Sequence, residues 1–239
     1  MGEFIMQITR RDSPNRNIGR QGHTPDFIVC HITEGAFDGS VSWALNPDAA
    51  VSYHFIVARD GRIVQLVDLA NTAWANGTTN GGDSRDNRFS SLSAVRERRV
   101  NANLYTISIG FEGIHSERQG GLVPAQFEAG VALTRHIHSE VKRLYNFEIP
   151  LQRTNIIGHN ELVPRWKPNC PGANFPFEDV IRQLNPPITP PSSDIADWAK
   201  EAWQWAIENK ITDGTHPTNN ITRQETMTLL YRLYKHIEK

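Results

Sequence analysis

Short apolar runs rich in β-branched residues recur along this chain and limit its fold more than any other feature. They end at Gly, Pro, Asp or Asn, and each is too short for a buried helix, so they predict buried strands. The runs are residues 27–32, 52–57, 63–67, 104–112 and 155–159. Asp60-Gly61 lies between the second and third runs, which predicts a hairpin turn.

Helical spacing separates these predicted strands. From Pro124, apolar residues recur at intervals of three and four, which indicates an amphipathic helix lying against the sheet. Shorter helices are predicted within residues 41–50, with an interruption at Pro47, and over 177–184. The polar, Gly-rich stretch 71–99 predicts a long surface loop. The fold class is therefore α/β, a central mixed sheet covered by helices, followed by a small all-α C-terminal module.

A change in composition near residue 186 predicts the domain organisation. Residues 1–185 form one predicted domain, and the Pro-rich stretch 186–193 is an extended linker. Residues 194–239 then form a helical module, in which Thr222 and Glu225 have the spacing of a capping box. About 45 residues are near the lower limit for an independent core, so the module needs support from a neighbour or a partner copy.

The charge balance excludes several classes of partner. The 239 residues carry a formal net charge of −1 and the pI is near 6.8, which predicts no nucleic-acid partner. No run approaches the roughly 20 apolar residues that span a bilayer, so membrane insertion is not expected. The N-terminal residues lack the pattern of a signal peptide, and export by that route is not expected either.

Metal-binding residue types lie where predicted strands end. His31 and His159 end two strands, Glu112 ends a third, and Cys170 lies in a polar loop. Strand ends at one edge of a sheet meet at one cleft, and thiolate with neutral imidazole suits Zn²⁺. Three protein ligands leave a fourth position for water. The spacing from His159 to Cys170 is wider than in small zinc fingers, so structural histidines are the alternative, and Cys30 is interpreted as a buried thiol.

Five motifs in order carry a family resemblance that covers roughly residues 20 to 185. They are Val29-Cys30-His31, Ser52-Tyr53-His54-Phe55-Ile56-Val57 with Asp60-Gly61, Ser108-Ile109-Gly110-Phe111-Glu112, Gly158-His159 and Asn169-Cys170-Pro171-Gly172. The chain resembles zinc-dependent N-acetylmuramoyl-L-alanine amidases of the type 2 amidase and peptidoglycan recognition protein family. The resemblance implies the type 2 amidase fold, a central mixed sheet covered by helices. It also implies that Zn²⁺ is the cofactor and that His31, His159 and Cys170 are its ligands.

The resemblance also implies a reaction, hydrolysis by zinc-activated water of the amide between N-acetylmuramic acid and L-alanine in bacterial peptidoglycan. Glu112 is then the general base, and Tyr53 and Lys167 lie at or near catalytic positions. The family's lysine commonly lies two residues before the last ligand, where this chain has Pro168. An exposed lysine without a catalytic role is therefore the alternative for Lys167.

One departure from the family pattern and one further histidine need an interpretation. Relatives often have a Trp-His-Ala-Gly segment lining the cleft, whereas Trp74 here is followed by alanine. Trp74 is either a substrate contact or plain packing. His54 alternates with Tyr53 along its strand and is expected in the core.

The C-terminal module resembles a single S-layer homology repeat, which implies binding to a secondary cell-wall polymer, either weakly or as an oligomer. A helical cap on the catalytic domain is the alternative. With no signal peptide, the whole resembles a phage endolysin, held in the host cytoplasm until lysis and acting at the cell wall. A prophage-encoded or otherwise exported autolysin fits the same residues.

Two other functions compete with this hypothesis. A non-catalytic peptidoglycan-binding protein on the same fold is the first, and Cys170 argues against it because such relatives typically lose that ligand. A thiol hydrolase using Cys30 or Cys170 is the second. Cys30 and His31 are adjacent on a strand and therefore face opposite sides, which disfavours a dyad.

Overall fold

A six-stranded sheet, with the strand order β1-β5-β4-β7-β3-β8, forms the centre of the fold. Its members are β1 (Ile8–Arg10), β3 (Phe27–Ile32), β4 (Phe55–Val57), β5 (Ile63–Gln65), β7 (Thr106–Phe111) and β8 (Ile156–Gly158). All neighbours are parallel except β4 and β5, which form the predicted antiparallel hairpin. A separate antiparallel pair joins β2 (Arg16–Asn17) to β6 (Thr72–Ala73). The mixed α/β architecture agrees with the prediction.

The computed structural model describes residues 6–186, 195–214 and 220–237. Contacts divide the chain into two units, Met1–Leu184 and Asn185–Lys239. Most of the predicted linker, residues 187–193 of 186–193, lies outside the described residues. No helix in the described part of the chain is long and apolar enough to cross a membrane.

Helices cover the first unit's sheet. They are α1 (Phe37–Leu45), α2 (Ser93–Arg98), α3 (His115–Arg118), α4 (Pro124–Tyr145), α5 (His159–Leu162) and α6 (Phe177–Leu184). Pro124 starts α4, where a missing backbone N–H costs nothing, and Asn146 ends it in a left-handed conformation. As predicted, α4 packs against the sheet through its apolar stripe, which includes Leu133, Ile137 and Val141.

Alternation along β3 divides its side chains between two layers. Ile28 and Cys30 join the cluster that contains α4 and α6, whereas Phe27 and Val29 join a second cluster with residues of α2 and α5. All six residues of β3 are buried, as expected for a parallel strand covered on both faces. His31 shares the alternation of Phe27 and Val29, so its ring lies on the side of the sheet opposite α4.

The predicted surface loop over residues 71–99 is partly wrong. This segment contains β6, a 3-10 turn at Asn87–Phe89 and α2, and it buries polar side chains such as Asp86. Asp86 accepts hydrogen bonds from the backbone N–H groups of Gly82 (2.7 Å) and Arg88 (2.8 Å). Because side chains satisfy the backbone locally, a polar stretch can be buried without joining the sheet.

Several boundaries also differ from the prediction. The second strand begins only at Phe55, residues Ala102–Tyr105 form a 3-10 turn before β7, and His159 begins α5 instead of ending a strand. The edge strand β1 was not predicted, since its three residues are largely polar and exposed. Short edge strands give little periodicity to detect.

The second unit contains α7 (Lys200–Glu208) and α8 (Arg223–Ile237), with a 3-10 turn at Asp197–Ala199. The predicted capping box is confirmed. Thr222 Oγ1 accepts the Glu225 N–H at 3.2 Å, and Glu225 Oε2 accepts the Thr222 N–H at 2.8 Å. Ile207 and Ile211 are buried, whereas α8 has no buried residue.

Candidate metal centre

His31, His159 and Cys170 converge at one end of the sheet. The parallel register between β3 and β8 places Cys30 opposite Gly158, and the residue that follows each of them in the chain is a histidine. The two imidazole centroids are 4.4 Å apart. One potential ligand atom from each of the three side chains lies within 4.8 Å of the others. The structure thus brings together the three residues that the sequence predicted as ligands.

Local contacts hold Cys170 in this position. The Asn160 N–H donates to the Cys170 carbonyl at 2.7 Å, and the Ile32 N–H donates to Cys170 Sγ at 3.4 Å. The loop after Cys170 crosses the segment around Gly120, and the two backbones meet at Gly120 and Gly172. A Cβ atom on Gly120 would lie 2.4 Å from the Pro171 carbonyl oxygen, and one on Gly172 would lie 2.2 Å from the Gln119 carbonyl oxygen. No other residue type fits this crossing without displacing the backbone.

Burial keeps the cluster uncharged. It lowers the pKa of His31, with further lowering by His159 and Lys167, and it lowers the pKa of His159 to about 4. Burial also raises the pKa of Cys170 to about 11, although the Ile32 N–H and the Lys167 charge oppose this. Neutral imidazole is ready to ligate a metal, whereas the thiol must first lose its proton.

The donor set fits Zn²⁺. Two imidazoles and one sulfur are soft to borderline ligands that zinc accepts in three-ligand sites. Nε2 of His31 is buried and has no hydrogen-bond partner among the described residues. A buried ring nitrogen is normally hydrogen-bonded, so this unpaired nitrogen is available to bind a metal ion.

The second histidine of the cluster, His159, has one tautomer. Its Nε2 lies 3.0 Å from the Asn76 carbonyl oxygen. A carbonyl only accepts, so Nε2 carries the proton and the lone pair is left on Nδ1. Metal-binding histidines are commonly oriented in this way by the nitrogen that does not ligate.

Tyr53 and Glu112 lie close to the cluster. The Tyr53 ring centroid is 5.2 Å from that of His31, and burial raises the pKa of the Tyr53 hydroxyl. Glu112 is half-buried, lines the same cleft as His31, and accepts the Arg59 N–H on Oε2 at 2.7 Å. Two of the three predicted catalytic side chains, Tyr53 and Glu112, therefore lie near His31.

Lys167 is exposed, with Nζ 4.6 Å from the ring centre of Trp166. Its charge lowers the pKa of His31, His159 and Cys170, so it lies within electrostatic reach of all three. Trp166 itself packs edge-on against His159, with centroids 6.0 Å apart, and rests on Gly77. Trp166 was not predicted as a site residue.

The other predicted positions lie elsewhere. His54 is buried in the core as expected, where Nδ1 accepts the Ser108 N–H at 3.0 Å. The Trp74 indole N–H donates to Asn17 Oδ1 at 3.0 Å, and Trp74 lines a groove that contains none of the three clustered side chains. Trp74 is thus bonded within the protein, which favours the packing interpretation over a contact at the metal cluster.

Both cysteines are free thiols. Burial raises the pKa of Cys30 as well as that of Cys170. Reactive cysteines have a lowered pKa, so neither thiol has the environment of a nucleophile. The thiol-hydrolase hypothesis therefore loses its physical basis.

Nothing in the sequence marks the residues that support the predicted ligands, above all Asn76, Asn103 and the glycine pair. Asn76 meets His159 through its backbone carbonyl, and such a contact leaves no side-chain pattern. Gly120 and Gly172 are separated by many residues, and only the fold shows that they touch. Trp166 lies within the loop before Cys170, but one aromatic in a loop gives no specific signal.

A mostly parallel sheet flanked by helices, with two histidines and a cysteine gathered at strand ends, defines an α/β domain with a site that could hold a metal ion. The sequence profile of the N-acetylmuramoyl-L-alanine amidase family matches residues 21–173. The chain belongs to this family, whose members act on bacterial peptidoglycan.

Several known proteins are similar to this chain. N-acetylmuramoyl-L-alanine amidase A from Achromobacter lyticus is 26% identical over 182 residues, covering 71% of this chain and 88% of the relative. Among solved structures, a selenomethionine derivative of AmpD is 22% identical with a TM-score of 0.51, covering 76% of this chain and 96% of that one. The amidase LysC from Clostridium intestinale is 20% identical with a TM-score of 0.47, covering 76% and 99%. The AmpD similarity supports the fold.

Proposed function

We propose that this chain is a zinc-dependent hydrolase that cleaves the amide bond between N-acetylmuramic acid and L-alanine in peptidoglycan. One observation carries the proposal: His31, His159 and Cys170 place their ligand atoms within 4.8 Å of one another in a member of the amidase family. Two neutral imidazoles and a cysteine that binds as its thiolate are ligands that zinc prefers. A receptor that only binds peptidoglycan would not need the complete set.

Zinc held by these three residues would activate water and polarise the scissile carbonyl at neutral pH. Glu112 supplies the base, because its carboxylate lies in the same cleft as His31 and the Arg59 N–H fixes one oxygen. It takes a proton from the attacking water and returns it to the leaving amine of L-alanine. This role explains a half-buried carboxylate beside the cluster.

Tyr53 and Lys167 stabilise the negative charge that develops on the carbonyl oxygen. The raised pKa of Tyr53 keeps its hydroxyl protonated and able to donate a hydrogen bond. Lys167 contributes its positive charge from the rim of the site, where it already affects all three ligands. Donors placed before the reaction act most strongly where water is excluded.

The second unit is proposed to be a wall-binding module that resembles an S-layer homology repeat and takes a secondary cell-wall polymer. The capping box at Thr222 and the two helices support that likeness. Exposed aromatic side chains, including Trp198 at 87% and Tyr231 at 62%, offer contact area for a polymer. In this proposal the catalytic domain comprises residues 1–185, the linker 186–193 and the wall-binding module 194–239. The proposed biological role is that of a phage endolysin.

Digestion of purified cell walls tests the reaction. The zinc-loaded chain should release peptides with a free L-alanine amino terminus, detected by mass spectrometry, and create no new reducing sugar ends. Cys170→Ala is the matched control and should release neither product. New reducing ends without free alanine termini would show a different bond being cut.

Metal dependence needs a separate measurement. Chelation should abolish activity, and added Zn²⁺ should restore it, while a thiol-modifying reagent should have little effect on the zinc-loaded protein. A purified chain that binds peptidoglycan fragments but takes up no stoichiometric zinc would instead be a non-catalytic binding protein.

A further inference from the structure

The contact between His159 and the Asn76 carbonyl depends on a second asparagine. Residues 75–77 belong to no strand or helix, and Gly77 has a positive φ of 61°. Asn103 Oδ1 accepts the N–H groups of both Ala75 (3.3 Å) and Asn76 (2.8 Å). One buried side-chain oxygen thus fixes the two peptide groups that lead to the carbonyl bonded to His159.

The Asn76 side chain is anchored to the sheet from the opposite end. It is fully buried at 0% exposure, and its Nδ2 donates to Thr106 Oγ1 at 2.7 Å. Thr106 Oγ1 in turn donates to the Ala102 carbonyl at 2.9 Å, and Ser108 Oγ lies 3.5 Å from Asn76 Oδ1. Thr106 and Ser108 belong to β7, which pairs directly with the strand that carries His31.

These contacts connect both histidines to one rigid framework. His31 lies on β3, and the network built on the neighbouring strand β7 holds the carbonyl that orients the ring of His159. We propose that Asn103 and Asn76 are positioning residues that set the zinc affinity of the site by fixing the tautomer and orientation of His159. The inference rests on the proposed zinc site and names two residues that determine how tightly that site binds.

The expected loss of zinc affinity follows from the two tautomers of imidazole. Neutral imidazole exists as two tautomers, and only the form protonated on Nε2 leaves Nδ1 free to ligate. A fixed carbonyl selects that form and the ring angle before the metal arrives. Losing such a partner typically weakens metal binding by about 10- to 100-fold.

A pair of variants at Asn103 separates positioning from packing. Asn103→Asp keeps an oxygen that can accept both N–H groups, whereas Asn103→Leu has a similar size and no acceptor. Zinc affinity, measured by competition with a chromogenic chelator, should fall about 10- to 100-fold in Asn103→Leu and change little in Asn103→Asp. Asn15→Ala is the control, because Asn15 is also buried but bonds carbonyls outside the site, at Ala44, Asn46 and Val51. It should lower the melting temperature and leave zinc affinity unchanged.

Equal zinc affinity in Asn103→Leu and the unmodified chain would overturn the proposal. A second measurement covers the case in which this variant does not fold. Nitrogen-15 NMR of the histidine rings in the unmodified, zinc-loaded protein should show His159 protonated on Nε2, and protonation on Nδ1 would also overturn it. Failure of the unmodified chain to bind zinc would instead contradict the proposed function, so the two failures are distinguishable.

Discussion

At the scale of single residues, burial decides the protonation of the three clustered side chains. The pKa of His159 is lowered to about 4 and that of Cys170 is raised to about 11. Near neutral pH the metal-free site therefore holds neutral imidazoles and one thiol proton, and that proton must leave when a metal binds.

The pH dependence of zinc binding follows from this. Between about pH 5.5 and about pH 7.5 the apparent affinity should rise about tenfold per pH unit, because one proton leaves Cys170 and none leaves the histidines. Competition titrations at several pH values measure the slope. Histidines with an ordinary pKa near 6.5 would give a steeper slope at the acid end, which would contradict the burial argument.

Lys167 offers a test of transition-state stabilisation that is independent of metal binding. Lys167→Ala should lower kcat/KM by about 100-fold, the usual loss when a donor to the developing oxyanion is removed. Zinc content should stay the same, since the substitution removes only the charged side chain and keeps the Lys167 carbonyl, which accepts the Cys170 N–H at 3.2 Å. Lys142→Ala is the control, because Lys142 lies on α4 and pairs with Glu148. Unchanged turnover in Lys167→Ala would remove this residue from the mechanism.

At the scale of elements, the loop around Gly120 supports the turn that follows Cys170. Gly120 has a φ of 87° and leaves no space for a Cβ, whereas Gly22 has a similar φ of 84° with nothing within 4 Å of its Cβ position. The two glycines thus share the same backbone constraint and differ in steric contact.

A matched pair of alanine substitutions uses this difference. Gly22→Ala should cost about 1–2 kcal/mol in free energy of unfolding, through backbone strain alone. Gly120→Ala should cost clearly more and also weaken zinc binding, because the clash with Pro171 displaces the Cys170 loop. Chemical denaturation and chelator competition measure the two effects. Equal losses of stability in both variants would show that the crossing adjusts without cost.

Elements differed in how well the sequence predicted them. The strands of the sheet's centre and the helix from Pro124 were predicted because their apolar periodicity is strong and both faces are buried. The segment 71–99 was misjudged because its burial rests on side-chain to backbone hydrogen bonds, such as those of Asp86. Hydrophobic periodicity carries no information about such bonds.

At the scale of the whole molecule, the three clustered side chains could be predicted from the sequence, whereas the hydrogen bonds that orient them could not. His31 and His159 lie at predicted strand ends and Cys170 in a polar loop, so residue type and position marked them as candidates, and the family resemblance implied that they are ligands. The Asn103 and Asn76 contacts depend on which loop lies beside which strand, and that information exists only in the fold. Ligand identity can therefore be predicted from sequence more easily than ligand geometry.

The second unit should be separable from catalysis. A chain shortened to residues 1–186 should hydrolyse a soluble muramoyl peptide at the rate of the full chain, because every predicted ligand and catalytic residue lies before that point. It should sediment less with purified cell walls, since the proposed wall-binding module is missing. Wall binding equal to that of the full chain would show that the second unit has another role.

Because β8 pairs with β3, a metal ion bound by the cluster would also stabilise this edge of the sheet. β8 is the edge strand opposite β1 and has three residues, and both His159 and Cys170 follow it, whereas His31 belongs to its neighbour β3. An ion bound by His31, His159 and Cys170 would act as a cross-link between β3 and the residues that follow β8. Its removal should first increase hydrogen exchange at residues 156–158, while the amides of β7, at the centre, stay protected. Loss of metal would then expose an unpaired strand before the rest of the domain unfolds, and an exposed strand margin is where chains begin to aggregate.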